Sequence, residues 1–137
     1  MLVHKFSTIS LISDITCPLL LIHGEDDFDI SISHSQHLFD AALEPYLEPY
    51  PFSKKELSRI RMATEEQQQI VEEVATRRRD QRDQMVQEFS IPGLGKSLQF
   101  ERPGKGAVGF FRSTWGGHNR IVNYEGAMDV TRKFFNL

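Results

Sequence analysis

Residues 19–30 read LLLIHGEDDFDI, and this stretch decides how the rest of the chain is interpreted. An apolar run bounded by Pro18 and Gly24 is typical of a strand in a parallel sheet, where both faces of the strand are covered. Three aspartates and a glutamate then follow within five positions. We therefore expect the strand to end at Gly24 and to leave carboxylates just beyond its carboxyl end.

A helix is predicted to follow this acidic loop. Ser31 or Ser33 can cap its start, and Pro45 stops it. Its apolar residues recur on one face at helical spacing: Leu38, Phe39, Ala42 and Leu43. Residues 1–43 are thus interpreted as one segment with the order strand, acidic loop and helix.

Residues 44–97 have a different character and are predicted to be a charged helical insertion. Ser53 and Glu56 have capping-box spacing, as do Thr64 and Gln67, so two helical parts are expected. Eight acidic and eight basic residues lie between positions 53 and 88, with only a thin apolar stripe. The pattern favours a solvated surface excursion. The alternative is a docking helix for a partner or a membrane face, which would use the cluster TRRRDQRD at residues 76–83.

Residues 98–137 are predicted to return to the sheet. Two apolar stretches flank the turn-rich sequence RPGKG, which indicates either a β-hairpin or one strand with an irregular segment before it. The second strand leads into a glycine-rich loop, STWGGHNRIV, that contains His118. A helix over residues 123–136 follows, because one face repeats at helical spacing through Tyr124, Ala127, Met128, Thr131 and Phe135.

Two loops that follow buried strands thus carry an acidic cluster and a histidine. Loops at the carboxyl ends of neighbouring parallel strands converge at one edge of the sheet. A carboxylate placed there can accept the Nδ1–H of His118 and stabilise the imidazolium that forms when Nε2 takes a proton. Gly116 and Gly117 would allow the tight turn that aims the ring.

These residues carry a family resemblance. ITCPLLLIHGEDDFDI resembles the acid-loop segment of the α/β-hydrolases, and GGHNRI before a last helix resembles their histidine loop. The resemblance covers about residues 5–43 and 107–137, and is greatest to the α/β-hydrolase domain-containing lipases that cleave monoacylglycerols and lysophospholipids. It implies that Asp27, third after Gly24, is the acid of a catalytic triad, and that His118 is its base.

The chain departs from this family in one respect that affects function. The family's serine stands on a G-x-S-x-G elbow upstream of the acid, and the chain contains no such motif. Four nearby serines, Ser31, Ser33, Ser35 and Ser113, do not stand on a strained strand-to-helix turn. We therefore expect the C-terminal part of an α/β-hydrolase sheet, its last two strands with flanking helices and the charged insertion, and little catalysis without an upstream serine.

The predicted function is that of a serine hydrolase of carboxylic esters, with an ester or lipid substrate and no cofactor. The alternative is a non-catalytic fragment or partner-binding module that acts through residues 44–97. The formal net charge of −3 argues against nucleic acid as a partner. Membrane association would need N-terminal sequence beyond this chain, and the resemblance implies the endoplasmic reticulum membrane or the cytoplasm.

A metal site is a further alternative. Carboxylates and imidazoles are metal ligands, and several occur close together in the sequence, although transition-metal sites usually need tighter convergence. We expect no bound metal. The candidate ligands would be His23, Asp26, Asp27, Asp29, His34 and His37.

Overall fold

A four-stranded sheet with helices on both faces organises residues 8–137, the part of the chain that the computed structural model describes. The first seven residues of the predicted segment 1–43 lie outside the described residues. The strands are β1 (Leu19–Gly24), β2 (Gln87–Ile91), β3 (Gly95–Phe100) and β4 (Val108–Ser113). The helices are α1 (Thr8–Leu11), α2 (Ser33–Leu43), α3 (Lys54–Leu57), α4 (Glu65–Met85), α5 (Gly117–Arg120) and α6 (Glu125–Phe135).

The strand order places the two predicted loops side by side. The order across the sheet is β1-β4-β3-β2, with β1 parallel to β4 and the other pairs antiparallel. In the parallel pair, Gly24 lies opposite Ser113. Both strands end at that row, so the acid loop and the histidine loop leave the sheet at the same edge. The predicted hairpin around RPGKG is formed by β3 and β4.

The prediction for residues 44–97 is wrong at its C-terminal end. Residues 87–91 form β2, and residues 95–97 begin β3, so this part of the chain is sheet and not helical insertion. A turn at Gly93, with φ of 76°, and a hydrogen bond from Leu94 N–H to the Ile91 carbonyl at 3.0 Å reverse the chain. The sheet therefore contains β2 in addition to the first strand and the two strands of the predicted hairpin.

The two predicted helix starts within residues 53–67 are confirmed. Both capping boxes form, one at Ser53 and Glu56 before α3 and the other at Thr64 and Gln67 before α4. The serine cap predicted for α2 forms in part: the Ser31 hydroxyl oxygen accepts the backbone N–H of Ser33, the first residue of the helix, at 3.3 Å, although the N-cap residue itself is Ile32. The hydroxyl groups of Ser31 and Ser33 lie 2.9 Å apart and bond to each other. Within residues 8–137, no helix combines the length and the apolar character needed to cross a bilayer.

The arginine cluster of α4 is engaged by acidic residues of α2 and of the connector that follows it. Arg82 lies 2.7 Å from Asp40, and Arg77 binds Glu48 through two contacts of 2.9 Å. The side chain of Arg78 is 10% exposed and lies 2.6 Å from Glu44. These ion pairs hold α4 against its own chain, so they do not favour the alternative in which the cluster docks a partner.

The core lies between α2 and the sheet. Phe39 is fully buried and meets Phe100 edge to face, with ring centroids 5.2 Å apart. On the opposite face, α6 packs against Gly109, where a Cβ atom would lie 2.7 Å from the Phe134 ring. Met128 and Phe135 of the predicted inner face are 46% and 39% exposed, so the prediction is wrong at these two positions. The less exposed face of α6 comprises Gly126, Ala127, Val130, Thr131 and Phe134, which includes Ala127 and Thr131 of the predicted set.

The buried side chain of Arg102 links the lead-in segment, residues 15–17 before β1, to the loop between β3 and β4. Arg102 is 2% exposed and has no acidic partner among the described residues. Its guanidinium donates to the carbonyl groups of Ile15 at 2.8 Å, Cys17 at 2.7 Å and Gly106 at 3.2 Å. Removal of the guanidinium would leave these acceptors without their donor in a place that water does not reach easily.

We therefore expect Arg102→Met to lower the free energy of unfolding by about 3 kcal/mol, because several bonds to one charged donor are lost together. Urea denaturation measures this change. The matched control is Arg79→Met, since Arg79 is exposed and should change stability by no more than about 0.5 kcal/mol. Equal effects of the two substitutions would contradict the role given to Arg102.

Candidate active site

The ends of β1 and β4 are joined closely enough to bring their loops into contact. The backbone N–H of Glu25 donates to the Ser113 carbonyl at 2.7 Å, which continues the parallel pairing by one step. Gly24 permits the approach, because a Cβ atom there would lie 2.8 Å from Asp26 Oδ1 and 3.1 Å from the Gly117 nitrogen. The strand end is thus packed directly against the histidine loop.

Asp27 is oriented by its own loop and contacts His118. Its Oδ1 accepts the backbone N–H groups of Asp29 and Ile30, both at 2.9 Å. Its Oδ2 lies 2.9 Å from Nδ1 of His118. An ionised carboxylate is only an acceptor, so Nδ1 must carry the proton in this contact. The neutral imidazole then has Nε2 free as a base, and its side chain is 40% exposed while that of Asp27 is 5% exposed.

Both members of this pair have shifted pKa values. The Ile30 backbone N–H, with further donors from His118 and Asp29, lowers the pKa of Asp27 despite the opposing effect of desolvation. The hydrogen bond and the charge of Asp27 raise the pKa of His118. The contribution of Asp27 to stability is lost as the pH falls through its lowered pKa, and that of His118 is lost as the pH rises through its raised pKa. The pair therefore stabilises the fold most between these two values.

The substitution Asp27→Asn should lower the pKa of His118, because the neighbouring negative charge is lost. Titration of the His118 Cε1 proton by NMR in the 137-residue chain measures this directly. Glu25→Gln, which removes a carboxylate from the same loop, serves as the control and should leave the His118 titration nearly unchanged. A His118 titration that is the same in the unsubstituted and Asp27→Asn chains would rule out the contact.

Asp26 makes a second connection between the loops, which the sequence did not reveal. Its Oδ1 accepts the backbone N–H of Gly117 at 2.7 Å, and its Oδ2 accepts that of Gly116 at 3.3 Å. The two glycines have φ values of 125° and 51°, as the predicted tight turn requires. The sequence signal was the doubled aspartate, which did not indicate which carboxylate would bind the backbone and which the imidazole.

His23, near the end of β1, forms hydrogen bonds that hold the acid loop. Its Nε2 lies 2.9 Å from the Ile30 carbonyl, and its Nδ1 lies 2.7 Å from the Ser35 hydroxyl. Since a carbonyl only accepts, Nε2 carries a proton. The same nitrogen is 3.4 Å from Asp27 Oδ2. His23 is 9% exposed. Its bonds to Ile30 and Ser35 hold the turn that presents Asp27.

The nearby serines are engaged elsewhere. Ser113 is fully buried, and its hydroxyl donates to the Trp115 carbonyl at 2.5 Å. Ser35 bonds to His23, and Ser31 and Ser33 bond to each other. Among the described residues, none of these four hydroxyl groups forms a hydrogen bond with His118.

A cavity of about 320 Å³ opens beside the Asp27–His118 pair. Much of its wall is apolar, formed by Ile22, Ile30, Leu38 and Ile121, with His34 and His118 among the polar residues. The candidate metal ligands do not converge there. Among residues 8–137, no three histidine, cysteine or acidic side chains are grouped so that they could hold a metal ion.

Comparisons with known proteins give one similarity. No family model matches the chain, and no solved structure matches it. Over 47 residues the chain is 38% identical to a protein of Acanthamoeba polyphaga mimivirus named "Putative alpha/beta hydrolase". The match covers 34% of this chain and 18% of the length of that protein. The mixed α/β sheet is compatible with part of an α/β fold of this kind.

Proposed function

We propose that this chain supplies the acid and the base of a serine hydrolase that cleaves carboxylic esters, with Asp27 as the acid and His118 as the base. The observation that carries the proposal is the 2.9 Å contact between His118 Nδ1 and Asp27 Oδ2 across the ends of two parallel strands. This contact fixes the imidazole tautomer and leaves Nε2 free, which is the arrangement that activates a hydroxyl nucleophile.

The reaction then proceeds in two balanced steps. His118 Nε2 takes the proton of a serine hydroxyl while the serine oxygen attacks the ester carbonyl, and the imidazolium is stabilised by Asp27. Collapse of the tetrahedral intermediate breaks the bond to the alcohol, which receives the proton from His118. In the second step His118 deprotonates water, which attacks the carbonyl of the acyl-serine; the bond between the acyl carbon and the serine oxygen then breaks, the serine oxygen takes the proton from His118, and the acid is released.

The nucleophile has to come from sequence outside these 137 residues, and the sheet has a place for it. Among residues 8–137, β1 lies at one edge of the sheet, with β4 as its neighbour. Its apolar sequence, LLLI, lacks the charges that usually protect an edge strand. A parallel strand added there would end at the edge where Asp27 and His118 lie, so a loop that follows it could carry the serine.

The surroundings of the pair favour an apolar ester. Three large apolar side chains near Asp27 and His118 in the sequence are exposed: Phe28 by 98%, Trp115 by 60% and Val122 by 70%. Apolar side chains of this size that lie together in one exposed patch mark a surface that binds other molecules. We propose a lipid ester with a long acyl chain, such as a monoacylglycerol or lysophospholipid, and a location at the endoplasmic reticulum membrane or in the cytoplasm.

A fluorophosphonate probe, which labels activated serines, tests the proposal. The 137-residue chain should not be labelled, while a chain extended by the sequence encoded upstream should be labelled at a serine on a strand-to-helix turn. The extended His118→Ala chain is the control and should lose the label. Labelling of Ser113 in the short chain would show that the nucleophile has been misplaced, and an extended chain without label would refute the proposed function.

A further inference from the structure

The histidine loop has little in its own sequence to hold it in place. Gly116 and Gly117 precede His118 and have no side chains, and both adopt φ values in the left-handed region. Glycine has more conformational freedom than any other residue, so a Gly-Gly turn left to itself samples many directions. A catalytic imidazole must be held within a fraction of an ångström of its working position. Some other group must therefore hold this turn.

The carboxylate of Asp26 meets that requirement. Its two oxygens take one backbone N–H each, from Gly117 at 2.7 Å and from Gly116 at 3.3 Å. Bonds to an ionised acceptor are about twice as strong as neutral ones, and two bonds to one rigid carboxylate restrain direction as well as distance. The chain separation of 91 residues between Asp26 and Gly117 shows that the bond joins two loops and is not a local turn.

We propose that Asp26 is a positioning residue, which holds the backbone of the histidine loop so that the imidazole of His118 reaches Asp27. Consecutive aspartates then divide the work: Asp26 binds the loop through its backbone, and Asp27 binds the ring. The effect of this positioning on catalysis rests on the proposed function, but the positioning itself is measurable without any substrate.

Two substitutions separate positioning from charge. Asp26→Asn removes the negative charge but keeps one oxygen that can accept the Gly117 N–H, whereas Asp26→Ala removes both. If Asp26 acts by positioning the histidine loop, the pKa of His118 should be much lower in the Asp26→Ala variant than in the Asp26→Asn variant. Only the Ala substitution releases the loop, so that His118 moves away from Asp27. Glu25→Gln is the control for charge, since the Glu25 side chain pairs with Arg112 at 3.2 Å and not with the histidine loop.

The experiment is an NMR study of the 137-residue chain and these variants. Besides the lowered pKa, we expect amide exchange of Gly117 to be at least about tenfold faster in Asp26→Ala, because a bond to a charged acceptor is lost. Equal shifts of the His118 pKa in the Asn and Ala variants would mean that charge alone matters and would overturn the proposal. An unchanged His118 pKa in both variants would overturn it as well.

A measurement on the unsubstituted chain keeps the proposal testable if Asp26→Ala does not fold. A through-hydrogen-bond coupling between the Gly117 amide nitrogen and the Asp26 carboxyl carbon should be detectable. Its absence, with couplings in the sheet present, would refute the proposal. This result is independent of fluorophosphonate labelling, so a failure of the positioning role and a failure of the proposed function can be told apart.

Discussion

Replacement of Asp27 by Asn is expected to lower ester turnover of the complete enzyme by about 10⁴-fold, and His118→Ala should lower it at least as much. An amide at position 27 presents a donor as well as an acceptor, so the imidazole is no longer fixed with its proton on Nδ1. The neutral ring can then turn Nε2–H toward the serine, where it cannot accept a proton. Steady-state hydrolysis of a long-chain ester by the chain extended upstream measures the loss.

The matched control for both substitutions is Glu25→Gln. It removes a carboxylate from the same loop but retains the backbone N–H that bonds to the Ser113 carbonyl. We expect its turnover to remain within a few-fold of the unsubstituted enzyme, because an exposed ion pair with Arg112 contributes little. Turnover of Asp27→Asn that matches this control would remove Asp27 from the mechanism.

The second large effect is expected at Gly24, where Gly24→Ala should lower turnover by roughly 100-fold. The new Cβ atom would lie 2.8 Å from Asp26 Oδ1, the oxygen that binds Gly117 N–H at 2.7 Å. Asp26 must then move, and the histidine loop moves with it. Misplacement of a reacting group by about 1 Å can cost this much in rate.

A double-mutant cycle checks the cause of that loss. Once Asp26 is Ala, its Oδ1 is gone and the main clash of the Gly24→Ala methyl group is relieved. The double variant should therefore lose less turnover than the product of the two single losses, because only the close contacts with the Gly117 backbone, at 3.1 and 3.3 Å, remain. Losses that multiply in the double variant would show that Gly24 acts by another route. Thermal unfolding of each variant shows whether a low rate reflects a smaller folded fraction.

Parts of the fold that depend on local patterns were predictable. The apolar run before Gly24 and the two capping boxes are short-range signals, and the structure shows a strand and two helix starts at those places. β2 was missed for the opposite reason. Its sequence, QEFSI, is mostly exposed and has little apolar alternation, so pairing with β3 and the turn at Gly93 determine that it is a strand.

The residues of the candidate site likewise include some that a local motif predicted and others that only the packing of distant segments determines. The motif resemblance named Asp27 and His118, and the structure places their side chains in contact. It did not indicate that Asp26 binds the loop backbone, because two adjacent carboxylates differ only in the directions that the folded loop gives them. The burial of Arg102 was equally hidden, since its acceptors are carbonyl groups of the lead-in segment more than eighty positions earlier. Such contacts are decided by how distant segments pack.

The central claim is that Asp27 holds His118 with the proton on Nδ1 and with Nε2 free to act as a base. The ¹⁵N chemical shifts of the His118 ring, measured in the unsubstituted chain above the pKa of that imidazole, report this tautomer directly. We expect a protonated Nδ1 and an unprotonated Nε2, the reverse of the preference of a free imidazole side chain. A His118 ring with its proton on Nε2 would contradict it.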